Sequence, residues 1–465
     1  MSTRTTFVSV LLIILCGTSL AMGQQPAVLT AEPLTGGPPV AEPLTLERAI
    51  GLALESNFPL RNARLESEKY DDRLGALRTK RLPSFKVSTL VSQPLTQMEF
   101  KFEKGAFGTF PDTGPIPDED TSITSSMKPS ALVTGQVTQP LSQLYRINLN
   151  IKQMEISREI SREDLRLKRQ SVVNEVKRAY YAALQTQSAF ANAEATIKLY
   201  RELERMTALY VLQQAALKPD HMEAETKLAK AQYELLTLQN QLASQKEQLN
   251  VLLGRDVRTE FAVVDGLDMA ELVMRETDLA GARERALAQR PEVTAARLKA
   301  RYAQYDKRIK KSEYLPDVSL SVNYLSPFGY SSLLPKNVAS VGVQVEWEVF
   351  DWGKKKRELA EKKRAIEQAD NSVREAESQV LMDVNARFRK LQESSHLLRI
   401  ARMSRETAKA SAEIAGNKYR VQAAVFKDVL QTHAALADAN HEYQKALLSF
   451  WTAKADFEKA IGEDK

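Results

Sequence analysis

The feature that most constrains this chain is an internal duplication. A stripe of leucines spaced seven residues apart in the first half reappears 208 residues later as an apolar stripe. The two stripes are Leu228, Leu235, Leu242 and Leu249, and Leu436, Tyr443, Phe450 and Phe457. Gly254, just past the first stripe, corresponds to Gly462. A sustained seven-residue spacing predicts helices packed side by side, so we expect two equivalent units of long helices.

Both halves have the same predicted order of elements: a helix, two short alternating segments joined by a loop, a very long helix, a turn and a return helix. The long helices are predicted over 142–209 and 354–417, and the return helices over 220–253 and 428–461. At 1.5 Å per residue the long helices would each measure about 100 Å. Helices of that length are not those of a compact globule.

Four short segments alternate apolar and polar residues, at about 84–95, 131–140, 317–325 and 338–349. Such segments form either the half-buried sheet of a soluble domain or strands that face lipid on one side and water on the other. Aromatic residues near the segment ends, such as Trp347, favour the membrane interpretation. Because four strands cannot close a membrane barrel, only an oligomer would complete one.

The first 23 residues have the pattern of a secretory signal peptide, with Arg4, a short apolar run and a small-residue exit at Ala21–Gly23. The one cysteine, Cys16, follows Leu15 where a lipoprotein signal needs a small residue, so lipidation is left open. No apolar run of about 18 residues occurs after this segment, which argues against membrane-spanning helices in the mature chain.

Charge and motifs exclude several classes of function. The 65 basic and 59 acidic residues are interspersed, so no basic block is available for nucleic acid. No signature of a serine hydrolase, a phosphate-binding loop, a dinucleotide site or a zinc protease occurs. The four histidines lie in predicted helices and are interpreted as surface or seam residues: His221, His396, His433 and His441. We therefore predict no enzyme activity, no cofactor and no metal site.

The predicted organisation follows from these patterns. It comprises a signal peptide at 1–23, a Pro-rich flexible lead at 24–43, a first repeat at 44–254, a linker or equatorial segment at 255–278, a second repeat at 279–462 and a tail at 463–465. The segment 96–130 is predicted to be a flexible connection because it is rich in Gly and Pro.

Several short segments, taken in order and in duplicate, carry a resemblance to a known family. They are LTLERAIGLALESN (44–57), Leu-Pro at 82–83 and 315–316, Gln-Pro-Leu at 139–141, VFDWG at 349–353 and Leu-Leu-Gly at 252–254. In this order the chain resembles the TolC-like outer-membrane efflux proteins over residues 44–462. The resemblance implies a mainly α fold with a small β part, and a homotrimer. Twelve strands, four per chain, would form one barrel in the outer membrane, and twelve helices a coiled-coil tunnel through the periplasm.

By the same resemblance the two turns between long and return helices are periplasmic tips, which dock on a periplasmic adaptor and an inner-membrane pump. The implied contact residues are Tyr210, Leu217 and Asp220 in the first tip, and Tyr419, Val425, Phe426 and Asp428 in the second. On physical grounds alone each is an ordinary helical-hairpin turn that ends with an acid capping the next helix.

Two further sets of residues are candidates for controlling the pore. In the family, the positions taken here by Gln422, Ala424 and Gln431 often hold a Gly, an Arg or Ser, and an acidic residue, respectively. This departure puts the usual gate in doubt. The gate candidates are therefore Arg420, Gln422 and Gln431. Glu346 and Glu348 lie on the polar side of the fourth strand, where they would either line the barrel lumen and favour cations or simply be solvated.

The predicted function is therefore a passive trimeric duct of the outer membrane that exports small molecules, either drugs or metal ions. Two alternatives stay open. One is an outer-membrane duct for type I protein secretion, and the other is a secreted periplasmic coiled-coil scaffold without a pore.

Overall fold

The structure is a computed structural model of the chain. It describes residues 42–124, 127–214, 217–264, 278–329, 335, 337–421 and 423–463. The predicted signal peptide, the lead as far as residue 41, the linker residues 265–277 and the last two residues lie outside the described residues.

Eight helices and ten strands are present in the described residues. The helices are α1 (Leu46–Ser56), α2 (Phe58–Thr79), α3 (Gln143–Leu212), α4 (Lys218–Leu253), α5 (Leu279–Gln289), α6 (Pro291–Ser312), α7 (Lys354–Arg420) and α8 (Phe426–Ala460). The strands are β1 (Glu42–Leu44), β2 (Ser84–Ser92), β3 (Glu99–Phe102), β4 (Thr109–Phe110), β5 (Gly114–Pro115), β6 (Thr121–Thr124), β7 (Ser130–Pro140), β8 (Phe261–Val263), β9 (Asp317–Phe328) and β10 (Val338–Glu346).

The long helices dominate the fold. α3 has 70 residues and α7 has 67, and they pack along the return helices α4 and α8 respectively. At 1.5 Å per residue each long helix extends about 100 Å. α3 also contacts α8, which joins the two halves. None of the described helices is both long enough and apolar enough to cross a membrane.

Each half opens with two helices that meet at a single residue. Asn57 ends α1 and begins α2, where its side chain accepts a hydrogen bond of 3.0 Å from the backbone N–H of Leu60. Arg290 lies at the matching junction between α5 and α6. Pro59 and Pro291 follow in the first turn of the second helix, where a missing N–H costs nothing.

The four alternating segments form one antiparallel sheet in the order β10-β9-β7-β2. Two adjacent rows of its register align like residues across all four strands. One face carries the apolar row Phe85, Val137, Val322 and Val341, and the other carries the polar row Lys86, Gln136, Asn323 and Ser340. The sheet is therefore amphipathic along these two rows.

The outer strands end earlier than the sequence pattern extends. β2 ends at Ser92, two residues before Pro94, which has no N–H to offer a ladder. β10 ends at Glu346 because that residue pairs with Asp317, the first residue of β9, and no partner is left beyond it.

The segment 96–130 is more ordered than its composition predicts. β3 pairs with β6 and β4 pairs with β5, so two short hairpin ladders replace much of the expected flexible connection. The rings of Phe102 and Phe107 lie 5.1 Å apart, and the backbone N–H of Lys104 donates to Asp120 over 2.8 Å. These aromatic and acidic side chains supply local contacts that a count of Gly and Pro overlooks.

The main core lies where the two halves meet, around a small parallel pair of β1 and β8. The hydroxyl of Tyr180 in α3 lies 2.8 Å from the carbonyl oxygens of both Leu44 and Val264, so it ties this pair to the long helix. Val176 of α3 and Val384 of α7 are fully buried in the same cluster. Helices from both repeats therefore share one core.

Candidate functional sites: the sheet and the helical tips

The edges of the four-stranded sheet are open. Among the described residues, β2 pairs only with β7 and β10 pairs only with β9. Every residue of both edge strands is exposed, and the apolar side chains of Phe85 and Val341 are 78% and 72% exposed. An exposed edge with an apolar face is a template for pairing with another strand.

The acidic residues at one end of the sheet have basic neighbours. Glu346 ends β10 opposite Asp317, and Arg146 donates to Asp317 over 2.8 Å. Glu348 lies two residues beyond the strand, with its carboxylate 3.3 Å from the ammonium group of Lys355. The charge of Glu348 is thus partly balanced, and a role for Glu346 and Glu348 in lining a lumen stays a prediction.

The two tips are joined by an aromatic contact. The rings of Tyr210 at the end of α3 and Tyr419 at the end of α7 lie 6.3 Å apart in an edge-to-face arrangement, a favourable geometry for aromatic pairs. Burial, followed by the nearby Tyr210 and Asp220, raises the pKa of Tyr419. The structure thus brings one predicted residue of each tip into direct contact.

The acids of the tips do not cap their helices in the predicted way. α4 begins at Lys218 and α8 at Phe426, so Asp220 and Asp428 are the third helical residues rather than the residues before the first turn. Their carboxylates accept hydrogen bonds of 3.2 and 3.3 Å from the backbone N–H groups of Leu217 and Val425. Acidic residues in a first turn also complement the helix dipole.

The remaining predicted residues differ in how far the structure describes them. Leu217 and Val425 are exposed, at 71% and 62%, and Gln431 is exposed in α8. Gln422 and the side chains of Arg420 and Phe426 lie outside the described residues. The gate candidates therefore stay predictions.

One cluster near the first tip was missed by sequence reasoning. Glu204 of α3 and His221 and Glu225 of α4 place one possible metal-binding atom each within 4.8 Å of the other two. His221 and Glu225 are four residues apart on one helix face, a spacing readable from sequence. The position of Glu204 depends on how α3 folds back on α4, which no local pattern reveals.

Comparison with known proteins agrees with this architecture. The sequence profile of the outer membrane efflux protein family matches residues 49–255 and 282–463. A characterised relative, the cobalt-zinc-cadmium resistance protein CzcC of Cupriavidus metallidurans, is 24% identical over 437 residues, which cover 91% of each chain.

Solved structures share the fold at low sequence identity. The structure of CusC superimposes with a TM-score of 0.73 at 14% identity, covering 90% of this chain and 92% of CusC. The CmeC outer membrane channel of Campylobacter jejuni superimposes with a TM-score of 0.71 at 16% identity, covering 90% of this chain and 85% of CmeC. Since the family profile spans most of the sequence in two segments, the chain belongs to the outer membrane efflux protein family and is an outer-membrane channel protein that extends into the periplasm.

Proposed function

We propose that three copies of this chain close into one passive duct that carries small molecules across the outer membrane. The observation that carries the proposal is the open amphipathic sheet, whose edge strands β2 and β10 pair with a neighbouring strand on one side only in the described residues. A sheet in a bilayer must satisfy all its backbone groups, so it has to close. Three copies supply twelve strands if β10 of one chain pairs with β2 of the next, which is enough for a water-filled barrel.

In this proposal the apolar row that contains Val322 and Val341 faces lipid, and the polar row that contains Asn323 and Ser340 faces the lumen. The long helices α3, α4, α7 and α8 continue the duct into the periplasm. The driving force comes from an inner-membrane pump, which a periplasmic adaptor connects to the tips. Exposed Leu217 and Val425 support this, because isolated apolar side chains at a helical tip suit packing against another helical hairpin.

The cargo class to test first is a divalent metal cation, since the characterised relative is named for resistance to cobalt, zinc and cadmium. Drug-like molecules are the second class of small cargo. If the chain instead supports secretion of a protein substrate, the proposal of small-molecule export is wrong.

Survival of a host that lacks its own copy of the gene tests the docking of the tips. We expect the wild-type chain to restore tolerance to at least one of these metals or to a drug, and the double variant Leu217→Asp/Val425→Asp to fail. The matched control is Val251→Asp, an exposed valine about 50 Å up α4 from the tip. The double variant must still form trimers; if it forms them and transports normally, the tips do not dock a partner.

A further inference from the structure

Close to the first tip, a histidine and two glutamates from two helices bring their polar atoms together. Glu204 lies near the end of α3, and His221 and Glu225 lie one turn apart at the start of α4. The possible metal-binding atoms of the three residues, one from each, all lie within 4.8 Å of one another. The Nε2 atom of His221 is 3.6 Å from Oε1 of Glu225. Two ligands of one tetrahedral zinc ion, each bound at about 2.0–2.2 Å, lie roughly 3.4 Å apart.

The imidazole of His221 is oriented by a buried neighbour. The hydroxyl oxygen of Thr207 lies 3.4 Å from Nδ1 of His221 and 2.9 Å from the backbone carbonyl oxygens of both Leu203 and Glu204. Because the hydroxyl proton is directed to a carbonyl, the hydroxyl oxygen is left to accept a hydrogen bond from Nδ1–H. That tautomer leaves the lone pair of Nε2 directed at Glu225, the arrangement found where a second partner orients a metal-binding histidine.

The cluster carries an excess of negative charge. With His221 neutral, its three converging atoms are all hydrogen-bond acceptors, and two of them belong to carboxylates. Among the described residues, neither Glu204 nor Glu225 forms an ion pair with a lysine or an arginine. Three acceptors that face one another repel unless a cation lies between them.

We propose that Glu204, His221 and Glu225 bind a divalent transition-metal cation, with zinc as the representative ion. One imidazole nitrogen and two carboxylate oxygens suit zinc and cobalt better than calcium or magnesium, which prefer oxygen ligands alone. Three protein ligands leave a fourth position for water, as in open zinc sites. Metal binding at this site does not depend on what the duct carries.

The second repeat offers an internal comparison. With the 208-residue offset between the repeats, the places of His221 and Glu225 are taken by Val429 and His433. Val429 is buried in an apolar cluster with Leu430 and Ile197. The histidine and glutamate of α4 therefore have no counterpart at these positions of the second repeat, and bound metal would link α3 to α4 at the first tip and leave the second tip unchanged.

Calorimetric titration with zinc tests the proposal. The sample is the full mature chain, purified in detergent and without a polyhistidine tag. We expect one zinc ion per chain, and a dissociation constant raised at least ~10-fold by His221→Gln and by Glu204→Gln. Glu223→Gln is the matched control, because Glu223 is an exposed glutamate two residues from His221. Thr207→Val keeps all three ligands but removes the orienting oxygen, and we expect it to weaken binding about 10-fold.

Hydrogen–deuterium exchange supplies a second readout. Zinc should slow backbone exchange around residues 203–225 and leave the second tip as it was. The alternative is a contact between His221 and Glu225 that involves no metal. If zinc binding is absent, or if His221→Gln binds zinc as tightly as wild type while exchange at the first tip does not respond, the proposed site is wrong.

Discussion

The guanidinium group of Arg290 donates a hydrogen bond of 3.2 Å to the carbonyl oxygen of Ala460 at the end of α8. In the first repeat, the side-chain amide of Asn57 donates over 2.8 Å to the carbonyl oxygen of Leu252 near the end of α4. Ala460 is the equivalent of Leu252, because the two are separated by the 208-residue offset between the repeats. Both repeats therefore have a hydrogen bond to the same carbonyl position, but an asparagine donates it in the first repeat and an arginine in the second. In both repeats the junction between the two opening helices holds the end of the return helix.

Loss of the Arg290 side chain should weaken this junction. Arg290 is buried and also binds Glu292 at 2.7 Å and Asp383 at 3.1 Å, so Arg290→Met leaves two carboxylates without that partner. We expect a loss of about 2 kcal/mol in the free energy of unfolding, measured by denaturant titration in detergent. The control is Arg297→Met, which removes an exposed pair with Glu377 and should cost less than about 1 kcal/mol. Equal effects of the two variants would contradict the role of Arg290.

A methyl group at Gly254 should also be poorly tolerated. Gly254 has φ +68°, and an added Cβ would clash with the backbone oxygen of Ser56. Gly254→Ala should therefore destabilise the chain by about 2–3 kcal/mol, because it adds backbone strain to a clash. Gly51→Ala is the control, since nothing lies within 4 Å of the added atom and alanine favours the surrounding helix α1. Thermal unfolding of both variants is the measurement. If Gly254→Ala is as stable as the wild type, the junction is looser than described.

The two faces of the sheet should respond oppositely to charge. Val341 belongs to the apolar row and Ser340 to the polar row of the same strand. An arginine facing lipid near the bilayer centre costs about 2–4 kcal/mol, whereas one facing water costs little. We expect Val341→Arg to reduce the yield of membrane-inserted protein strongly and Ser340→Arg to leave it near wild type. If Ser340→Arg lowers the yield and Val341→Arg does not, the polar row faces lipid and the apolar row faces the lumen.

Acid should loosen the second hairpin through His433. Burial lowers the pKa of His433 in the folded chain, so the unfolded chain binds more protons below the ordinary value of about 6.5. The stabilisation from His433 is therefore complete above that value and is lost as the pH falls towards the lowered pKa. His433→Gln should flatten the decline in thermal stability between pH 7 and pH 5, with His396→Gln, which removes an exposed imidazole, as control. If the thermal stability of both variants falls with pH as steeply as that of the wild type, His433 does not contribute to the fall.

Most of the architecture could be predicted from the sequence because its signals repeat. The stripe that contains Leu228 and Leu249 recurs in the second half, and the alternation from Val341 to Val345 recurs in the paired strand β9. Duplication thus allows each weak local pattern to be checked against a second copy. The strand ends were not predictable from alternation, because the end of β10 depends on where its partner β9 begins.

The sites were less predictable than the fold for a related reason. Tyr210 and Tyr419 are 209 positions apart, and only the packing of two hairpins brings their rings together. The third-residue position of Asp220 and Asp428 reflects helices that begin two residues earlier than the predicted boundaries. Glu204 reaches His221 only because α3 and α4 are antiparallel neighbours, a relationship between distant segments that short motifs do not encode.

In the proposed assembly, several copies of this chain close one water-filled duct through a membrane. The most direct test is the electrical conductance of planar bilayers that contain the chain, extracted from membranes with detergent, together with the mass of the extracted assembly. We predict a trimeric assembly that conducts ions once inserted. A chain that is released without detergent as a monomer and gives no conductance would contradict the duct and favour a periplasmic scaffold.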